Sequence, residues 1–101
     1  MREEGFVKIA KALADPTRAR MLHEIRSRGE MTCGDVCECF PKSQPTISHH
    51  IKALAESGII ACRRDGQFHV LTVEEPLLRA FAARLLGEIE DPSGGPRRGK
   101  N

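Results

Sequence analysis

The chain has 101 residues, 40% of them hydrophobic and 30% charged, with a formal net charge of +2. That length and balance suit one globular domain with a modest core, and no apolar run approaches the roughly 20 residues needed to cross a bilayer. The N-terminus, Met-Arg-Glu-Glu-Gly, lacks the apolar centre of a signal peptide, so the expectation is a cytoplasmic protein with reduced thiols.

Phe6, Val7, Ile9, Ala10, Leu13 and Ala14 put a wide apolar face on a first helix over residues 4–14. Asp15 caps a second helix and Pro16 is its first residue, where a missing N–H costs nothing. That helix carries Ala19, Met21, Leu22 and Ile25 inward and Arg18, Arg20, Arg26 and Arg28 outward, and Gly29 ends it. Thr32 caps a short third helix from Cys33 to Phe40, and Pro41 stops it. Ser43 caps a fourth helix with Pro45 in its first turn, Ile47, Ile51 and Leu54 as its apolar stripe, and Gly58 as its end. Two short helices joined by a tight turn read as a helix-turn-helix.

After Gly58 the pattern changes. Ile59, Ile60 and Cys62 begin a strand, with Cys62 at a core position. Arg63-Arg64-Asp65-Gly66-Gln67 is the turn, and Phe68, Val70, Leu71 and Val73 form the returning strand. A hairpin directly after such a helix pair is a wing. A last helix opens at Glu74-Glu75-Pro76 and runs to Glu90, with Leu77, Leu78, Phe81, Leu85, Leu86 and Ile89 at helical spacing. Residues 91–101 are too polar and too rich in Gly and Pro to fold. The expected fold is mainly α with a small β-hairpin, a winged helix-turn-helix in the order α-α-α-α-β-β-α, over residues 1–90.

The outer face of the fourth helix carries the functional signal. Gln44, Thr46, Ser48 and His49 are short hydrogen-bonding side chains near its start, with few acids among them. That is what a helix needs to enter the DNA major groove. Gln44 suits bidentate pairing with adenine, Thr46 a thymine methyl or a phosphate, and Ser48 and His49 bases or phosphates. Lys42 and Lys52 suit phosphate, Ser43 belongs to the same surface, and Arg63, Arg64 and Gln67 of the wing reach the flanking backbone or minor groove. His50, between Ile47 and Ile51, belongs to the inner face. The outer helices are more apolar than so small a core uses, and Phe6, Ile9, Leu13, Leu78, Phe81 and Leu85 are the expected interface of a homodimer.

The segments Lys11–Leu22, Ser43–Leu54 and Glu56–Ile60, with the hairpin around Asp65-Gly66, resemble the ArsR/SmtB family of bacterial winged-helix repressors over residues 5–90. The resemblance implies a symmetric dimer built mainly from the first and last helices. Its two recognition helices would read a pseudo-palindromic operator of double-stranded DNA, and an inducer, often a metal ion, would release them. No catalytic arrangement is visible, and none is implied.

Aligned through Ser43-Gln44-Pro45, only Cys37 falls on a cysteine of the family's arsenic-responsive branch; Thr32 and Gly34 stand at the other two positions. Cys33 and Cys37, at i and i+4, share a helix face. A shifted site for a thiophilic metal or metalloid from Cys33, Cys37 and Cys39 is one reading. Structural thiols with no cofactor is a second, and redox sensing through a Cys33 activated at its helix N-terminus is a third. The last helix has no His, so the family's zinc-type site there is not carried over, and His23, His49, His50 and His69 show no ligand pairing.

Overall fold

The structure is a computed structural model that describes residues 1–87. The polar tail at 91–101, the domain boundary at residue 90 and Ile89 lie outside the described residues, whereas the last helix ends at Leu85 with Leu86 as its C-cap, short of the expected Glu90. Helix α1 (Glu3–Ala12) packs Ile9 and Ala12 inward and stops two residues short of the expected Ala14. Helix α2 (Pro16–Arg28) begins at Asp15, whose carboxylate accepts the Arg18 backbone N–H at 3.0 Å. It ends at Gly29, at a φ of 90° that an L side chain resists.

Next comes a strand that the sequence does not announce. Strand β1 (Met31–Thr32) pairs with residues 70–71 of the hairpin. Two residues are too few to display a period, so no alternation marks them. Thr32 then caps α3 (Cys33–Cys39): its hydroxyl accepts the Asp35 N–H while the Asp35 carboxylate accepts the Thr32 N–H, both at 3.0 Å. Replacing Thr32 by Ala should lower stability by about 1 kcal/mol in urea unfolding. The Thr32 backbone N–H, and then its hydroxyl, hold the Asp35 carboxyl below its ordinary value of 3.8. The contribution of this box is therefore complete above that value and is lost as pH falls through the lower folded-state value.

Helix α4 (Gln44–Glu56) starts at Ser43, whose hydroxyl accepts from the Thr46 N–H. Strands β2 (Ile60–Asp65) and β3 (Phe68–Val73) form an antiparallel hairpin, and the sheet order is β1-β3-β2. Arg63, Arg64 and Asp65 are strand residues rather than turn residues. Asp65 pairs with Phe68, so the turn is Gly66-Gln67 alone. Gly66 has a φ of 63° and Gln67 is not left-handed, the pattern of a II′ turn with glycine first. Helix α5 (Glu75–Leu85) closes the chain's described part, tied back by the Glu74 N–H to the Ile59 carbonyl.

The core gathers Ile9, Met21, Ile25, Met31, Val36, Ile47, Leu54, Ile59 and Leu71, all nearly or wholly buried, and Phe81 of α5 closes it. Every element described contributes to it except the outer half of the hairpin. The sheet row Met31–Leu71–Cys62 shows how far burial extends: Met31 and Leu71 are inside, but Cys62, on the outer strand, is exposed. It is not the core residue expected there.

Candidate nucleic-acid interface

Helix α4 buries Ile47 and Leu54 against the core and half-buries Ile51. Its opposite side exposes Gln44, Ser48, His49 and Lys52. Gln44, Ser48 and Lys52 stand four residues apart and form one stripe, with His49 beside it. No acid interrupts the helix before Glu56. The turn before it brings Lys42 to the same end, also exposed.

Ser43 and Thr46 play a different part from these. The Ser43 hydroxyl donates to Thr46 Oγ1 at 2.9 Å while accepting the Thr46 N–H. Their polar atoms shape the first turn and so aim Gln44 outward.

The wing arginines are not equivalent. The Arg63 guanidinium meets the Glu30 carboxylate at 3.2 Å, an exposed ion pair that competes with any phosphate. Arg64 folds toward the hairpin tip, its Nε donating to the Gly66 carbonyl at 3.2 Å, and Gln67 is exposed at the tip itself. Glu30 lies just outside strand β1, and nothing in the sequence around it marks it as the partner of a wing arginine.

The thiols do not come together as expected. Cys33 and Cys37 are half-buried on the core side of α3, whereas Cys39 is exposed and turned toward α2, its Sγ accepting from Arg28 Nη2 at 3.0 Å. The last turn of α3 thus points Cys39 away from the other two. Among the described residues no group of three or more Cys, His, Asp or Glu is disposed to hold a metal ion. The residues present therefore do not fit the three-thiol centre. Burial, and then the charges of Cys62 and Cys37, push the Cys33 thiol above its ordinary value, the direction opposite to activation. Cys62 Sγ lies 3.9 Å from His69 Nδ1.

At the other end of the molecule, Phe6 of α1 stacks on Phe81 of α5 at 4.9 Å, and the Arg84 guanidinium covers Phe6 at 4.7 Å. Ile9 is 0% exposed and Phe81 8%, so both serve the core of this chain rather than an outer contact. Phe6, Leu13 and Leu78 are half-buried, Val7 is 40% exposed, and Leu85 and Leu86 are 65% and 68% exposed. Val7 on α1 and Leu85 and Leu86 at the end of α5 are the large apolar side chains that this part of the chain exposes most.

A helix pair, α3 and α4, whose second helix presents an acid-free polar stripe, followed by an antiparallel hairpin, defines a winged helix-turn-helix DNA-binding protein. A helix-turn-helix domain family matches residues 13–63. The chain is 38% identical over 71 residues to the transcriptional repressor SdpR of Bacillus subtilis, covering 70% of this chain and 78% of that one. A crystal structure of an ArsR family transcriptional regulator superposes with a TM-score of 0.77 at 29% identity, covering 95% of this chain and 98% of that one. The homodimeric winged helix-turn-helix domain (fragment 1–100) of a Mycobacterium bovis protein shares the fold, with a TM-score of 0.70 at 21% identity over 94% of this chain and 89% of that one. The chain belongs to the ArsR family of winged-helix transcriptional regulators. This is a family of regulators, not of enzymes. Among the described residues no helix is long and apolar enough to cross a membrane.

Proposed function

We propose that two copies of this chain associate and repress transcription by placing their α4 helices in successive major-groove faces of a pseudo-palindromic operator. The observation that carries this reading is the stripe Gln44–Ser48–Lys52, exposed and free of acids on a helix whose other side packs on the core. Gln44 and Ser48 read base edges, with His49 beside them. Lys42 and Lys52 hold phosphates, and Arg64 and Gln67 at the wing tip touch the flanking backbone. Arg63 joins them only by giving up Glu30. Self-association is supported by the apolar surface of Val7, Leu85 and Leu86, which solvent otherwise covers. A three-thiol metal site is the weaker reading, because Cys39 faces Arg28 and not its fellow cysteines.

The experiment is binding to a duplex selected by the protein from a random pool, measured against salt. The logarithm of affinity should fall linearly with the logarithm of salt concentration. Replacing Lys42 or Lys52 by Ala should flatten that slope by about 1 for each phosphate no longer neutralised, hence about 2 in a symmetric dimer, and should weaken operator and scrambled DNA alike. An unchanged slope in both variants would show that neither lysine meets a phosphate.

A further inference from the structure

His50 sits on α4 immediately after the exposed His49, yet its side chain is only 12% exposed. It points back at the start of α2. His50 Nδ1 lies 3.4 Å from Arg18 Nη1. A guanidinium has no lone pair to offer, so a hydrogen bond here takes Nδ1 as the acceptor, with the ring proton on Nε2. Nε2 in turn faces Asp15 Oδ2 at 4.0 Å. Asp15 is already held as the cap of α2, and Arg18 is held as well, with its Nε donating to the Ala12 carbonyl at 2.6 Å. A single arginine therefore touches the last residue of α1, the first turn of α2 and the middle of α4.

The remaining inner contacts of α4 are made by Ile47, Ile51, Leu54 and Ala55. Apolar packing is non-directional and leaves a helix some freedom to roll and slide. A hydrogen bond with defined donor and acceptor removes that freedom. We infer that His50 is a positioning residue: through Asp15 and Arg18 it fixes the angle of the recognition helix to α1, and thereby the distance between the two recognition helices of a dimer. This rests on the dimeric operator-binding reading above, with α1 and α5 supplying the contact between copies. The direct consequence is on half-site spacing, which in such proteins is set by geometry and not by base contacts.

The test uses a duplex selected by the wild-type protein, the same duplex with one base pair inserted or removed between its half-sites, and a scrambled duplex. Three variants are compared. His50→Leu keeps an apolar fill but no hydrogen bond. Asp15→Asn keeps an N-cap of equal quality while removing the charge. His50→Gln restores a side chain that both accepts and donates.

Wild type should lose about tenfold or more in affinity when the spacing changes, the scale of a mismatched site. His50→Leu should bind the selected duplex about tenfold more weakly, lose less than about threefold on the spacing change, and bind scrambled DNA as wild type does. Asp15→Asn should move the same way with its melting temperature preserved, and His50→Gln should return most of the spacing dependence. If His50→Leu and Asp15→Asn both fold and keep the wild-type spacing dependence and affinity, His50 is a packing residue and the inference fails alone. If wild type itself selects no duplex or sediments as a monomer, the operator reading fails and takes the inference with it.

Discussion

Alanine at both Gln44 and Ser48 should leave the protein folded and still able to bind DNA, but with its preference for the selected duplex over a scrambled one reduced by about 1.5 to four orders of magnitude. Both side chains are exposed and lie outside the core. Their removal disturbs no buried packing, and alanine is the best helix former. The first-turn cap is unaffected, because it depends on Ser43 and Thr46. A well-made bidentate contact discriminates by about 1–3 kcal/mol, and a symmetric dimer makes each contact twice. Affinity for scrambled DNA, set by Lys42, Lys52 and the wing, should barely move. Competition binding at fixed salt reads the ratio directly. An unchanged ratio in a folded double variant would mean that α4 reads shape and not base edges.

The recognition helix is legible in the sequence because its signals are local. A serine cap, a proline in the first turn, an apolar stripe and a terminal glycine all fall within one short segment, and the helix spans Gln44–Glu56 accordingly. What stays hidden is set by pairing at a distance. Strand β1 exists because the backbone of Met31 and Thr32 meets Leu71 and Val70, and nothing in those two residues declares it. The strands run through Arg63, Arg64 and Asp65 because the hairpin projects beyond the core, where there is no face to bury and so no alternation to see. Cys62 is exposed because it lies on the outer strand of the sheet. The inward side of His50 follows from Ile47 and Ile51, but its partner Arg18 lies 32 residues upstream. Ile9 departs from expectation in the opposite sense. An apolar position on an outer helix looks the same in sequence whether it meets the core or a second copy, and here it meets the core. Cys39 depends on side-chain direction in the last turn of a seven-residue helix, which spacing alone does not resolve.

The second large effect is structural and follows from where the wing is rooted. Leu71 is 0% exposed and pairs with Met31 on one side and Cys62 on the other, so it joins all three strands while packing in the core. Leu71→Ala leaves a void at a site whose neighbours come from different elements and cannot all collapse inward. Such truncations cost about 2–5 kcal/mol. A domain of this size has about 5–10 kcal/mol in total, so the midpoint should fall by roughly 10–30 °C. Phe68→Ala is the control. Phe68 sits on the same strand beside the hairpin tip but is 54% exposed, and its truncation should stay within about 0.5 kcal/mol. Thermal unfolding of both variants followed by circular dichroism separates the two. Comparable drops would mean that the hairpin tip is buried in the protein's working state, as a second copy covering it would require. A large drop at Leu71 alone would mean that the wing is a free arm anchored only at its base, available to lie along DNA.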